Sequence, residues 1–145
     1  TRDGVAAVMG TAGNEHAPLV LRGGSQGPNY STADVHAAAE LLRKHHLPPF
    51  IMVDCSHANS GKDADRQPRV AAELAAQIAA GEHALCAVMI ESNLLGGSQD
   101  YRRKPLVPGR SITDACLAWE ATLPVFAQLA AAVKTRRAGS GRRNS

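Results

Sequence analysis

The sequence predicts an α/β chain whose strands run parallel, and three observations carry that reading. First, the aliphatic runs LVLR (19–22), FIMVD (50–54) and LCAVMIE (85–91) are separated by amphipathic helix patterns. Near-continuous apolar runs of this kind suit strands covered on both faces, the usual setting of parallel strands. Second, each run ends in chemistry: Arg22, then His57 just past Asp54, then Glu91. Third, those residues recur with steps of 35 and 34 residues, the length of one βα unit. A (β/α)8 barrel delivers a residue from each strand's carboxyl end to a common rim, whereas a doubly wound sheet binds at a switch point. No G-x-G-x-x-G or Walker sequence supports the second option. A full barrel takes about 250 residues. The chain has 145 and begins TRDG without a methionine, so the expectation is a piece of a longer protein with about three βα units.

The elements follow in order. VAAVMGTAGN (5–14) reads as a short opening strand or hairpin. LVLR is the first clear strand. Ser31 or Thr32 caps a helix through ADVHAAAELLRKHH, with Val35, Ala38, Ala39 and Leu42 on one face. Its cationic end, Arg43 to His46, complements the helix dipole, and Pro48-Pro49 stops it. After FIMVD, a second helix starts near Pro68, with Val70, Leu74 and Ile78 as its stripe and Gly81 as the residue beyond its end. LCAVMIE is the third strand. An irregular stretch, GGSQDYRRKPLVPG, leads to a last helix expected from about Ile112 to Arg137, kinked or broken at Pro124. Residues 1–138 form one domain, and 139–145 a basic disordered tail.

Composition excludes several classes. The longest apolar runs are too short to span a bilayer, and no signal-peptide pattern opens the chain. Three cysteines without framework spacing point to a reducing, cytoplasmic setting rather than a disulfide scaffold. The net charge of +3 rests on the last twelve residues, KTRRAGSGRRNS; without them the body carries 11 basic against 13 acidic residues. That favours a solvated tail over a nucleic-acid arm, and neither nucleic acid nor membrane is an expected partner.

Each candidate residue has two readings. His57 is a hydrogen-bonded loop histidine or a ligand. Glu91 pairs with a lysine, caps a backbone or binds an ion, because an unpaired carboxylate is costly to bury. Asp114, with Ser111 and Thr113, either caps the last helix or adds a carboxylate to the rim. Arg22 beside two glycines suits a phosphate or carboxylate. Cys55 and Cys86 read as small core residues, and Asn59, Ser60 and Lys62 as ordinary loop polars in preference to groups that support the site from behind. Taken together, one imidazole and two carboxylates make an N/O ligand set for manganese, iron, cobalt or zinc, with an arginine as anion site. A metal beside an anion clamp suits carbonyl chemistry on a phosphorylated substrate.

LRGG…PNYS, MVDCSHANSGKD, VMIESNLLGGSQ and SITDACLAWE, in this order, closely resemble the carboxyl-terminal part of class I 3-deoxy-D-arabino-heptulosonate 7-phosphate (DAHP) synthase. The resemblance runs from TRDG to about Lys134. It implies the carboxyl-terminal part of a (β/α)8 TIM barrel. The implied reaction condenses phosphoenolpyruvate with erythrose 4-phosphate and releases phosphate, opening the shikimate pathway. It further implies a divalent metal held by His57, Glu91 and Asp114, phosphoenolpyruvate bound by Arg22, and catalytic roles for His57 and Asp114. A homo-oligomer is implied at full length. The family's fourth ligand, a cysteine, falls in a stretch this chain lacks, and VPGR replaces the usual tyrosine-glycine-lysine before SITDAC. An isolated piece is therefore expected to be inactive. The alternatives are a related octulosonate-phosphate synthase barrel, an inert truncated product or a basic-tailed binding module.

Overall fold

The structure is a computed structural model that describes residues 4–14 and 16–141, leaving aside the side chains of 140 and 141. Its centre is a three-stranded parallel sheet, β1 (Leu19–Leu21), β2 (Ile51–Asp54) and β3 (Leu85–Met89), in that spatial order. Leu19, Val20 and Leu21 stand opposite Ile51, Met52 and Val53. On the other side, Val53 and Asp54 stand opposite Val88 and Met89. Helix α1 (Thr32–Lys44) joins β1 to β2. A one-turn helix α2 (His57–Ser60) and helix α3 (Gln67–Ala79) join β2 to β3.

Local sequence explains the boundaries. Ser31 caps α1 in a reciprocal box: its hydroxyl accepts from the Asp34 N–H and the Asp34 carboxylate accepts from the Ser31 N–H. Pro68 sits in the first turn of α3, where its missing N–H has no helical partner to lose. Gly81, just past α3, adopts the left-handed φ of 108° that ends a helix.

The core follows from two periodicities. Ile51 and Val53 point from β2 to one face, and α1 (Val35, Ala38, Ala39) and α3 (Val70, Ala71, Leu74, Ala75, Ile78) cover that face. Burying a side chain such as Leu74 or Ile51 contributes about 1.5–3 kcal/mol, and both are fully enclosed. Val20, on the opposite face of β1, stays exposed. The helices thus cover one side of the sheet, with all sheet carboxyl ends on one edge.

The carboxyl-terminal third departs from expectation. The irregular stretch is bracketed by a short parallel pair, β5 (Leu95–Ser98) with β6 (Arg110–Ser111). A second short pair joins β4 (Ser92–Asn93) to β7 (Leu117–Ala118). The last helix, α4 (Trp119–Gly141), therefore starts seven residues later than the pattern predicts, because Leu117 and Ala118 are taken by strand pairing. Pro124 stands inside α4 without interrupting it. Helix α4 packs against α3 through Val125 and Ala132. Lys134 to Arg137, grouped above with the basic tail, are helical, and the Arg136 guanidinium donates to the carbonyls of Glu82 (2.6 Å) and Leu85 (3.3 Å). Of the expected disordered tail, 139–141 form the end of α4 and 142–145 lie outside the described residues.

Two further expectations are corrected. Residues 5–14 form no strand or hairpin, and Val5, Val8 and Met9 are exposed. Cys86 is exposed although it lies in β3, where the register shifts: Ile51 stands opposite Leu85 and Met52 opposite Ala87, so Cys86 is the extra residue of a bulge. No helix among the described residues is long and apolar enough to cross a membrane.

Candidate metal centre

The site begins where β2 ends. Asp54 is the last strand residue and is almost wholly buried. Its Oδ1 accepts from the Ser56 N–H (2.8 Å) and the Ser56 hydroxyl (2.6 Å). Its Oδ2 lies 2.6 Å from His57 Nδ1. A carboxylate can only accept, so this contact places a proton on Nδ1; in the neutral imidazole the Nε2 lone pair is then free. His57 reaches this pose with a left-handed φ of 47°. A non-glycine residue held there costs about 1–3 kcal/mol, and the two clamps on Asp54 and the turn of α2 hold it. A carboxylate behind a histidine whose other nitrogen is free is the arrangement that orients metal-binding imidazoles.

His57 Nε2 faces Glu91 Oε1 at 3.8 Å, too long for a hydrogen bond. Glu91 lies two residues beyond β3, and Asp114 lies in the turn between β6 and β7. The ligand atoms of His57, Glu91 and Asp114 all fall within 4.8 Å of one another. They line a cavity of about 50 Å³ with Ser56, Ser60, Lys62, Gln67 and Ala115. Bonds of about 2.1 Å at tetrahedral angles separate two ligand atoms by ~3.4 Å, so modest closure seats an ion among the three. Among the described residues neither Glu91 nor Asp114 forms an ion pair with a lysine or arginine. Two carboxylates facing one lone pair, without a basic partner, form a donor set that fits a divalent cation.

The surrounding contacts fix the rim. Asn59, buried, donates to the carbonyls of Leu21 (3.1 Å) and Asp54 (2.8 Å) and accepts from the Asn29 N–H (2.9 Å). Asn29 in turn accepts from the Gly23 N–H at 2.6 Å. This tethers the end of β1 to the end of β2. Gly23 has a φ of +74°, and a Cβ there would lie 2.7 Å from Ala58 Cβ and 2.9 Å from the Ala58–Asn59 backbone. The glycine beside Arg22 thus serves a close approach within the protein itself. Arg22 leaves the sheet on the same edge as His57, but its side chain is exposed and makes no hydrogen bond or ion pair among the described residues.

A family model described as the DAHP synthetase I family matches residues 3–126. The chain belongs to the DAHP synthetase I family. Its relatives include the tyrosine-inhibited phospho-2-dehydro-3-deoxyheptonate aldolase of Schizosaccharomyces pombe, 46% identical over 142 residues that cover 94% of this chain and 38% of that one. The Phe-sensitive enzyme of Escherichia coli is 46% identical over 138 residues, covering 94% and 39%. A solved structure, the phospho-2-dehydro-3-deoxyheptonate aldolase of Francisella tularensis SCHU S4, superposes with a TM-score of 0.84 at 41% identity, covering 94% of this chain and 40% of that one. The chain spans just under two fifths of the length of these curated relatives.

Of the predicted site residues of this family member, His57, Glu91 and Asp114 converge. Asp114 does not cap α4, which starts five residues later, and His57 opens a one-turn helix rather than an irregular loop. Arg22 shares the sheet edge without lining the cavity. Sequence reasoning missed Asp54, which it read as the end of a strand, and Gln67. Asn59 and Ser60, read as ordinary loop polars, are buried. For Asp54 the available signal was an acid three residues before a histidine at a strand end.

Proposed function

We propose that this chain is the metal-holding, carboxyl-terminal part of a phospho-2-dehydro-3-deoxyheptonate aldolase built as a (β/α)8 barrel. The whole enzyme joins phosphoenolpyruvate, erythrose 4-phosphate and water into the seven-carbon 3-deoxy acid phosphate and releases inorganic phosphate. The observation that carries this reading is the meeting of His57 Nε2, Glu91 and Asp114 within 4.8 Å, each from a different segment, beside the carboxyl ends of parallel strands. Helices covering one side of that sheet support a barrel over a doubly wound arrangement, which covers both.

His57, Glu91 and Asp114 would hold a divalent ion, which would supply Lewis acidity for carbonyl chemistry. The chain's own groups do the rest. Asp54 holds the His57 imidazole by Nδ1–H, which would leave Nε2 to hold the ion. Arg22, exposed just past β1, binds a phosphate or carboxylate of phosphoenolpyruvate through its planar fork. Asp114, the most exposed of the three ligands, is the group open to exchange a proton with solvent or substrate.

The test joins this chain behind the amino-terminal part of its Escherichia coli relative and follows phosphate release with manganese. Turnover on erythrose 4-phosphate that disappears in His57→Ala is the expected result. A folded chimera without turnover, or one that prefers arabinose 5-phosphate, contradicts the proposal.

A further inference from the structure

We infer that Gln67 is a positioning residue for the metal site: its amide grips the Glu91 backbone and so sets where the Glu91 carboxylate stands. The inference rests on the metal reading above and extends it to a residue that contributes no ligand atom.

Glu91 lies where the sheet gives out. The last register pair of β2 and β3 joins Asp54 to Met89, two residues earlier. Beyond it, β2 offers the Glu91 N–H and carbonyl no partner. Gln67 supplies both. Its Oε1 accepts from the Glu91 N–H at 2.8 Å, and its Nε2 donates to the Glu91 carbonyl at 3.0 Å. One primary amide thus reproduces the donor and acceptor that an adjacent strand would offer. The same carbonyl accepts from the Leu117 N–H at 2.9 Å. Leu117 opens β7 three residues after Asp114, so this single oxygen links the segments bearing both carboxylates.

The grip is rigid. Gln67 is 1% exposed and opens α3 immediately before Pro68, whose ring fixes its own φ. It lies on the helical stripe of Val70, Ala71, Leu74 and Ala75, which anchors α3 in the core. It also lines the cavity that His57, Glu91 and Asp114 share. A neutral amide there fixes geometry without placing a competing charge beside the cation.

The experiment titrates the full chain with manganese alone and measures the thermal midpoint of the metal-free chain in parallel. Gln67→Met keeps the volume and removes both hydrogen bonds. It is expected to bind manganese about 10–100-fold more weakly, the usual effect of losing a partner behind a ligand. Gln77→Met is the control. Gln77 lies on the same helix and donates to the Tyr30 carbonyl at 2.9 Å, far from the metal ligands in sequence and outside their cavity. It should lower the thermal midpoint and leave manganese affinity unchanged. In a Glu91→Gln background, Gln67→Met should weaken binding no further. Gln67→Asn retains an amide one methylene short and carries the comparison where Gln67→Met unfolds. Unchanged affinity in a folded Gln67 variant overturns the inference, as does equal loss in Gln77→Met. Failure of the unaltered chain to bind manganese overturns instead the metal reading beneath it.

Discussion

Replacing Asp54 by asparagine tests the imidazole orientation with almost no change of shape. In the native arrangement one carboxylate oxygen accepts from the Ser56 N–H and hydroxyl, at 2.8 and 2.6 Å. The other accepts from His57 Nδ1 at 2.6 Å. Asparagine has one acceptor oxygen and one donor NH2. The Ser56 N–H can only donate, so the amide oxygen must turn to it or leave it unsatisfied at a cost of about 1–3 kcal/mol. The NH2 then faces His57, and Nδ1 becomes the acceptor. The proton moves to Nε2, the atom that faces Glu91 at 3.8 Å. A ligand nitrogen must be unprotonated to bind metal, so Asp54→Asn is expected to weaken divalent-ion binding by about 10–100-fold, or roughly 1.4–2.7 kcal/mol. Isothermal titration with manganese measures this, and the thermal midpoint of the metal-free chain reports any loss of folding. A folded Asp54→Asn chain that binds manganese as tightly as the native one would refute the tautomer argument.

Other outcomes follow from the same contacts. Gly23→Ala places a Cβ at 2.7 Å from Ala58 Cβ with φ at +74°; it should destabilise the fold by about 1–3 kcal/mol in urea unfolding. Cys55 is enclosed, and burial, followed by the nearby Asp54 charge, pushes its thiol from the ordinary 9.0 up to about 12. Between those values the unfolded chain loses a proton that the folded chain keeps. Stability should therefore fall with rising pH by about 1.4 kcal/mol per unit relative to Cys55→Ala, with no relative change below 9.0. Urea midpoints across that range check the slope. Exposed Cys86 should react with a thiol reagent in the folded chain, and Cys55 only after unfolding; mass mapping of the labelled peptides decides. Ser31→Ala removes the cap of α1 and should cost about 1 kcal/mol, read from the same unfolding curves.

The parts of this chain that local patterns control were legible from the letters. The three aliphatic runs became β1, β2 and β3, and the Val35–Ala38–Ala39 and Val70–Leu74–Ile78 stripes became the buried faces of α1 and α3. The trio His57, Glu91 and Asp114 was legible because each sits just past an apolar run or in a distinctive motif. What was missed depends on distant partners. Leu117 and Ala118 look like the start of a helix until Ser92 and Asn93 pair with them. VAAVMGTAGN has strand-forming residues, yet Val5, Val8 and Met9 stay exposed and the segment forms no strand. Cys86 sits in an apolar run that reads as core, and only the pairing of β3 with β2 makes it the extra residue of a bulge. Gln67 acts on Glu91 across 24 residues of chain. A local signal did exist: Gln67 is in phase with the apolar stripe of α3, where a polar side chain must find a buried partner.

Titration of the native chain with manganese, beside His57→Ala, Glu91→Ala and Asp114→Ala, tests the central claim most directly. The account predicts one bound ion for the native chain and marked weakening in each of the three variants, all still folded. Binding that survives all three substitutions, or a folded native chain that binds no divalent ion, contradicts it.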